Sequence, residues 1–264
     1  MRQCLAAASL VMAVTTASEA AAAAPTVRLT EAVSYASGKF GETQRTDVVV
    51  VLTAAKVSFG DWFVRGSAPY VSIRGPAGVV VDESKVTETP SARPQRQTNS
   101  GLGDVSLTLG RSFNRLGGSR AYVDVAGRVR LPTGSRARGL GVGATDFSLS
   151  SELGYAARRS GAYLSAGRRF LGDVDGVNRR DGWQAGVGGW RSLGRAYLVG
   201  AGYDRRDGSR RGSPASSEIY GFASRGLGRR WRIAVDGGMG LSRGSPDYSL
   251  GLSVTSRLSW PGGR

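Results

Sequence analysis

The segment SGLGDVSLTLGRSF, residues 100–113, carries residue types found in phosphate-binding loops. Gly101, Gly103 and Asp104 precede an apolar stretch. A dinucleotide-binding loop needs a third glycine at fixed spacing and a helix that holds the phosphate, and a P-loop needs Lys followed by Ser or Thr. Neither follows here, because apolar and polar residues alternate from Val105 onward as in a β-strand. The segment is therefore interpreted as a junction between a loop and a strand.

The composition argues against the common hydrolytic and metal-dependent sites. The 264 residues include no His, and Cys4 is the only Cys, so a His base beside a nucleophile or a His/Cys zinc site cannot be built. The remaining candidates for chemistry are isolated carboxylates: Asp104, Asp124, Asp146, Glu152 and Asp236. Such acids on the polar face of a strand more often pair with neighbouring arginines than catalyse a reaction. We expect no enzyme activity, no metal and no cofactor.

The N-terminus has the parts of a secretory signal peptide. Arg2 precedes an apolar stretch from Leu5 to about Val14, and small residues run to Ala24. This predicts a cleaved signal at 1–24 and a single domain at 25–264. Cys4 precedes the apolar stretch, so we expect the exported chain to have no thiol, disulfide or lipid anchor.

The charge is strongly basic. Lys and Arg number 36 against 20 Asp and Glu, a formal net charge of +16. A basic exported protein attracts anionic lipid headgroups or small anions. We expect no nucleic-acid partner, because no basic stripe is interleaved with aromatic residues and the compartment is wrong.

Period-two alternation recurs along the chain and helix signals are nearly absent. In the last segment, for example, Leu250, Leu252 and Val254 alternate with Gly251 and Ser253. Segments of about 10 residues suit tilted strands that cross a bilayer. The pattern predicts twelve strands near 27–35, 47–57, 62–73, 102–113, 120–131, 144–157, 162–171, 182–192, 196–204, 217–225, 230–242 and 247–260.

The connections and the aromatic residues indicate a membrane barrel. Tight turns alternate with longer polar loops, and aromatic residues lie near both ends of the strands, as expected of girdles at the two interfaces. The aromatic residues assigned to these girdles include Trp62, Tyr163, Trp190, Phe222 and Trp260 at the tight-turn ends and Trp183 and Tyr220 at the long-loop ends. A soluble β-sandwich also shows this alternation. It is not expected to have short turns at one end of its strands and long loops at the other, or aromatic residues near both ends. The fold class is therefore all-β, a transmembrane antiparallel up-and-down β-barrel of about 12 strands.

Three motifs in order resemble a known family. They are GLGDVSLTLGRSF, then VRLPTG at 129–134, then GATDFSLSSELGYAARRSGAYLSAGRRF at 143–170. The earlier DWFVRGSAPYVSI at 61–73 is also similar to a strand of that family. Together they resemble outer-membrane barrel proteins linked to the meta-pathway of phenol degradation. The resemblance implies a transport barrel for small, often aromatic or hydrophobic compounds, whereas the abundance of arginine here disfavours a purely hydrophobic solute.

The leading hypothesis is an outer-membrane channel or transporter for small molecules in a Gram-negative bacterium. The residues predicted to line its pore are Arg65, Arg128, Arg130, Arg232, Arg257, Asp124, Asp146, Glu152 and Asp236. An excess of cations there favours anions, but the same charges could pair across strands and plug a narrow barrel. Expected partners are outer-membrane lipid, the barrel-assembly machinery and a small-molecule solute. The alternative is a structural or adhesive barrel that acts through the polar segment 75–100.

Overall fold

The structure is a computed structural model, and it describes residues 25–75, 79–82, 85–88 and 97–259. The predicted signal segment, Trp260 and part of the polar segment 75–100 lie outside these residues. Helical structure in the described ranges is limited to short 3-10 turns at Leu116–Gly118 and Arg136–Arg138. No helix there has the length and apolar character needed to cross a membrane.

The described chain is built almost entirely from antiparallel strands. Their bounds are β1 Thr26–Gly38, β2 Thr46–Phe59, β3 Trp62–Gly75, β4 Val79–Asp82, β5 Lys85–Glu88, β6 Gln97–Leu102, β7 Val105–Asn114, β8 Ala121–Leu131, β9 Asp146–Ala156, β10 Ser160–Phe170, β11 Gly182–Leu193, β12 Tyr197–Arg206, β13 Ser216–Leu227, β14 Trp231–Gly240 and β15 Tyr248–Ser259. Each predicted strand overlaps one of these strands.

The sheet closes on itself. β1 pairs with both β2 and β15, β2 pairs with β3, and β3 pairs with β7, after which each strand pairs with its successor up to β15. Closure leaves no free edge along the ring of twelve strands, which a sheet in a bilayer requires because lipid offers no hydrogen bonds. The predicted twelve-strand barrel is confirmed.

The wall contains one interruption that the alternation did not show. β6 and β7 both pair with β3, β6 with its long-loop half and β7 with its other half, and Gly103 and Asp104 separate them. The segment 75–100, expected to be a loop, contains the β4–β5 hairpin and most of β6. The strand therefore begins earlier than predicted and is broken where the GLGD motif lies.

The connections differ between the two rims. Short turns at 60–61, 115–120, 157–159, 194–196 and 228–230 form one rim, which we call the tight-turn rim. The loops at 39–45, 132–145, 171–181, 207–215 and 241–247 form the long-loop rim. Gly194 and Gly228 reach the left-handed φ values of 73° and 66° that the tightest turns require. The sorted loops match the layout of outer-membrane barrels, whose long loops are extracellular.

The outer face of the barrel is a continuous apolar band. Leu153, Leu164 and Leu252, near the middle of their strands, are 52%, 59% and 49% exposed. Soluble monomers rarely expose apolar surface on this scale, whereas lipid covers it without cost. A soluble sandwich would bury these side chains between its sheets, so the membrane barrel is the supported architecture.

Several arginines belong to the outer girdles and not to the lumen. Arg111 lies 5.2 Å from the ring centroid of Trp62 and 4.8 Å from that of Phe113, near the tight-turn rim. Arg168 lies 5.0 Å from the ring of Trp183 near the opposite rim. Cation–π contacts of this kind hold the long side chain at the interface, where its charged end stays hydrated. Part of the basic charge is thereby explained without any solute.

Candidate functional site in the barrel lumen

The inner face carries all nine residues predicted to line a pore. Alternate residues of each strand point inward, and the cross-strand pairs fix which set does so. Their degree of burial differs. Arg65, Arg130, Asp146 and Glu152 are buried, Asp124, Arg128, Arg232 and Asp236 are half-buried, and Arg257 is exposed at the tight-turn rim.

Cations form a row that crosses eight adjacent strands. Following the cross-strand partners, the row comprises Arg257, Arg28, Lys56, Arg65, Thr108, Arg128, Ser148 and Arg169. We call it the basic row. Neighbouring strands are about 4.8 Å apart, and barrel strands are tilted by roughly 40°. The row therefore climbs from Arg257 at the tight-turn rim to Arg169 near the long-loop rim.

A second row carries acids. Its members are Asp124, Glu152, Ser165, Gly186, Asp204 and Glu218, again as successive cross-strand partners. We call it the acidic row. It lies four residues closer to the tight-turn rim than the basic row on β8 and β9, or about 13 Å along each strand. The two rows run parallel across β8, β9 and β10, the three strands that they share.

Sequence reasoning missed several inner-face charges. They are Arg28, Lys56, Arg169, Asp204, Arg206 and Glu218. The alternation in β1 could have revealed Arg28. Leu29 and Val33 face outward, so the even-numbered residues of this strand, including Arg28, face the lumen. Glu31, between Leu29 and Val33, is also outward and accepts a hydrogen bond from Thr53 at 2.9 Å, which obscures that pattern.

Aromatic rings on the inner face lie over glycines of the adjacent strand. A Cβ atom added at any of these glycines would overlap the ring beside it. The pairs are Phe63 with Gly110, Tyr122 with Gly154, Tyr163 with Gly188, Trp190 with Gly161, Tyr220 with Gly202 and Phe222 with Gly200. The missing side chains let the rings lie against the wall of the barrel.

The girdle prediction was wrong for four of these aromatic residues. Tyr163, Trp190, Phe222 and Tyr220 were expected at the membrane interfaces, but they face the lumen, and the first three are only 5%, 8% and 6% exposed. Their strands place small residues on both faces, so hydropathy gives little contrast between inside and outside. Trp62 and Trp183 do lie on the outer face as predicted.

Replacing Gly154 with Ala is expected to destabilise the barrel by about 1–3 kcal/mol, because the Tyr122 ring must lift off the wall. The ring also orients its hydroxyl, which donates to Glu152 Oε1 at 2.8 Å. In a Tyr122→Ala background the same substitution should cost little, so the two changes are non-additive. Urea unfolding of the four proteins in lipid vesicles measures this, and an equal cost in both backgrounds would contradict the ring–glycine contact.

Two apolar clusters occupy opposite corners of the lumen wall. The rim cluster, at the long-loop end of β1–β3, comprises Ala36, Phe40, Val48, Val50, Val71, Ile73 and Leu140. The base cluster, at the tight-turn end of β10–β14, comprises Tyr163, Trp190, Leu198, Phe222 and Ala234. On β2 and β3 the basic row lies six residues closer to the tight-turn rim than the rim cluster, with Lys56 against Val50 and Arg65 against Val71. The acidic row lies next to the base cluster, with Ser165 two residues from Tyr163 on the inner face of β10.

The GLGD motif anchors a loop that folds into the lumen. Asp104 accepts the backbone N–H of Gly134 at 3.0 Å and that of Val142 at 2.9 Å. Thr133 Oγ1 donates to the Gly103 carbonyl and accepts from the Val105 N–H, both at 2.9 Å. The loop 132–145 is thereby fixed, and its Leu140 enters the rim cluster.

A second carboxylate anchors the next loop. The Asp146 carboxylate accepts hydrogen bonds from the Arg179 guanidinium at 2.7 and 2.8 Å and from the Gly172 N–H at 3.0 Å. It also forms an ion pair with Arg130. Arg179 belongs to the loop 171–181, so this ion cluster ties that loop to β8 and β9. Arg130 and Asp146, predicted as pore-lining, thus share their charge with a structural contact at the long-loop mouth.

The carboxylates of the inner face that the structure describes are not clustered as metal ligands would be. Within the ranges that the structure covers, no group of three or more Asp, Glu, His or Cys side chains is placed to hold a metal ion.

Comparison with known proteins places the fold. No family model matches the sequence, and no curated protein matches it in sequence. Among solved structures, the KdgM porin aligns with a TM-score of 0.52 at 7% identity, over 88% of this chain and 98% of that one. The chain has the fold of an outer-membrane porin. KdgM porin in complex with disordered oligogalacturonate aligns similarly, with a TM-score of 0.51 at 9% identity, over 89% and 99%.

A third solved structure is a deletion mutant of the TodX monoaromatic hydrocarbon channel. It aligns with a TM-score of 0.50 at 11% identity, over 91% of each chain. All three of these proteins are named as porins or channels and none as an enzyme. The outer-membrane barrel architecture follows from this likeness and from the apolar outer band. The resemblance to the phenol meta-pathway family is a finer prediction that these alignments do not address.

Proposed function

We propose that this protein is an outer-membrane channel for small polar solutes and that it favours anions. The observation that carries the proposal is the basic row, which follows the lumen wall from one rim to the other inside an otherwise apolar-coated barrel. Rings and ladders of Arg and Lys favour anions in a narrow pore because the surrounding protein screens charge less than bulk water does. We also infer that outer-membrane lipid covers the apolar band and that the barrel-assembly machinery inserts the chain.

The size of the bore follows from the strand number and the covering of the wall. Side chains fill the interior of a barrel of about 8 strands, whereas a barrel of about 16 strands encloses a wide channel. A barrel of twelve strands is therefore expected to have an interior of intermediate width. Arg65 and Arg169 are each only 7% exposed, so side chains cover the wall closely. We therefore expect a narrow channel with a small conductance.

The proposal is tested by the reversal potential of the refolded protein in a planar bilayer under a KCl gradient. A heat-dependent gel shift first confirms folding. We expect stepwise currents with a reversal potential that indicates a preference for chloride. The reason is that the basic row carries more charges than the acidic row. A folded barrel that passes no current, or one that prefers potassium, would contradict the proposal.

A second candidate solute class is favoured by the base cluster. Tyr163, Trp190 and Phe222 present aromatic surface at the tight-turn end of the lumen, and the resemblance to the phenol meta-pathway family also implies aromatic compounds. The protein named TodX is a monoaromatic hydrocarbon channel. Vesicle uptake of benzoate and of toluene separates the two classes. Faster benzoate uptake supports the anion channel, and toluene uptake alone supports the hydrocarbon reading.

A role of segment 75–100 in adhesion stays a prediction. The structure describes the β4–β5 hairpin and the first four residues of β6 within this segment. If the adhesive alternative holds, deletion of 76–96 should leave the conductance unchanged and abolish surface binding.

A further inference from the structure

We propose that the tight-turn rim is a binding surface for the phosphate groups of anionic phospholipids in the membrane leaflet that it faces. This inference concerns the outside of the barrel, and it does not depend on what the lumen conducts.

The charge of the tight-turn rim is almost entirely positive. Its five turns contain seven arginines and one carboxylate, that of Asp61. The arginines are all exposed, and they are Arg115, Arg120, Arg158, Arg159, Arg195, Arg229 and Arg230. The five loops of the long-loop rim differ, because they balance nine Lys and Arg residues with six Asp and Glu residues. The shorter turns therefore hold the larger net positive charge.

The rim arginines are not neutralised by the protein. Among the residues that the structure describes, none of the seven guanidinium groups forms an ion pair with a carboxylate. On the opposite rim, Arg45 pairs with Asp247 at 2.7 Å and Arg179 pairs with Asp146 at 2.7 Å. Seven like charges in five short turns repel one another, so a negatively charged partner from outside the protein is attracted to this rim.

The aromatic girdle places these arginines at the depth of the lipid headgroups. Six exposed aromatic residues face outward beside the tight turns, as expected at a membrane interface. They are Phe59, Trp62, Phe113, Tyr155, Tyr197 and Trp231. Arg230 directly precedes Trp231, and Arg195 lies two residues before Tyr197, or about 7 Å along the chain. A long Arg side chain at this depth keeps its aliphatic part on the barrel and extends its charged end among the headgroups.

The distribution of the arginines favours a shell of lipids over a single compact ligand. They lie on the four turns that join β7 to β8, β9 to β10, β11 to β12 and β13 to β14, so they follow eight consecutive strands of the ring. Neighbouring turns are two strands apart, or about 10 Å. A small soluble anion contacts one turn at a time, whereas the lipids around the barrel present a phosphate to every turn.

The chemistry of the surface suits phosphate. Guanidinium groups bind phosphate oxygens in a bidentate mode, and clusters of basic residues at a membrane surface favour anionic lipids. Arg111 and Arg225 extend the surface onto the outer wall, where they lie 4.8 Å from the Phe113 ring and 5.3 Å from the Tyr197 ring. The barrel should therefore enrich phosphatidylglycerol over phosphatidylcholine at this rim.

Brominated lipids measure the lipid composition at each rim, because bromine quenches the fluorescence of a tryptophan that it contacts. Trp231 reports on the tight-turn rim, and Trp183 reports on the long-loop rim. Two proteins, each keeping one of these reporters with the other four tryptophans replaced by Phe, are refolded into vesicles of phosphatidylcholine and phosphatidylglycerol, one of them brominated. Trp190 faces the lumen, so it is retained as an unquenched background if its replacement prevents folding.

We expect phosphatidylglycerol to bind at Trp231 at least about threefold more strongly than phosphatidylcholine, because several arginines lie near each headgroup there. At Trp183 the two lipids should bind about equally. A heat-dependent gel shift confirms that both proteins are folded. Equal binding ratios at the two reporters would overturn the proposal.

Variants assign the preference to the rim arginines. The rim variant removes four charges and should lower the binding ratio at Trp231 by at least about half; it carries Arg158→Gln, Arg159→Gln, Arg229→Gln and Arg230→Gln. The matched control removes four exposed arginines from the long-loop rim and should leave that ratio unchanged; it carries Arg138→Gln, Arg180→Gln, Arg211→Gln and Arg243→Gln. Equal effects of the two variants would mean that overall charge attracts the lipid, which overturns the proposal.

Salt and free phosphate separate lipid headgroups from soluble anions. The preference at Trp231 should fall toward one as KCl rises from about 20 mM to about 500 mM, because the Debye length shortens from about 20 Å to about 4 Å. A preference that persists at high salt would not arise from the charge of the rim. At constant ionic strength, replacing part of the chloride by inorganic phosphate should leave the preference unchanged. If phosphate abolishes it, the rim binds free phosphate in place of lipid, and the proposal fails.

Discussion

Replacement of Lys56 and Arg65 by Glu is expected to change the channel from anion-preferring to cation-preferring. The two residues are cross-strand partners on the inner face, and both are more than nine-tenths buried. The double change shifts the local charge by about four units in a lumen where unit charges 4 Å apart interact by about 4 kcal/mol. The ratio of chloride to potassium permeability should fall by at least about tenfold, which the reversal potential under a KCl gradient measures.

Two comparisons make this result specific to the basic row. The neutral variant, Lys56→Gln with Arg65→Gln, should move the permeability ratio about half as far on a logarithmic scale. The same charge reversal on the outer face, Arg191→Glu with Arg225→Glu, should barely move it. If the outer variant shifts the ratio as much as the inner one, overall charge and not the row determines selectivity.

The barrel itself could be predicted from the sequence because lipid favours apolar side chains at the outward positions of every strand. A period-two pattern therefore survives in β14 and β15, predicted at 230–242 and 247–260 and found at Trp231–Gly240 and Tyr248–Ser259. The same rule separates inward from outward charges, which is why all nine predicted pore-lining residues lie on the inner face.

The arrangement of those charges could not be predicted, because alternation gives the face of a residue but not its partner on the next strand. Register is set by pairing between segments that can be far apart in sequence. Arg28 and Arg257 are neighbours in the basic row although they lie at opposite ends of the chain. A shift of two residues in one strand would preserve the alternation and break the row.

The inner aromatic residues escaped prediction for a different reason. Trp190 follows two glycines in β11, and Gly188 and Gly189 point to opposite faces, so the local pattern has no apolar side. Gly188 is required by the Tyr163 ring that lies on it from β10, which is a long-range packing constraint. The sequence shows the glycine but not the ring that requires it.

The motif that first suggested a phosphate loop illustrates the same limit. Sequence reasoning interpreted 101–104 as a junction between a loop and a strand, and the structure places the interruption between β6 and β7 there. The sequence also offered VRLPTG at 129–134 as a second motif. Contact between the two depends on the fold, which brings Gly134 and Val142 to the Asp104 carboxylate. The role of Asp104 is therefore to position the loop 132–145, and this role is open to a direct test.

Replacement of Asp104 by Asn is expected to release the loop 132–145 while the barrel stays folded. The carboxylate is 4% exposed, and each of its oxygens accepts one backbone N–H. The amide group of Asn places a donor against one of those N–H groups, and an unsatisfied buried donor costs about 1–3 kcal/mol. Cleavage by trypsin after Arg136 or Arg138, both exposed in the loop, should accelerate about ten- to a hundredfold, because cleavage follows the population of the open loop.

The control substitution is Asp173→Asn, which removes an exposed carboxylate from the neighbouring loop and should leave the rate of cleavage unchanged. Release of the loop also withdraws Leu140 from the rim cluster, so the conductance of the Asp104→Asn channel should rise. Faster cleavage with unchanged conductance would mean that Leu140 does not narrow the path. An unchanged cleavage rate would mean that Thr133 and the packing of Leu140 hold the loop without the carboxylate.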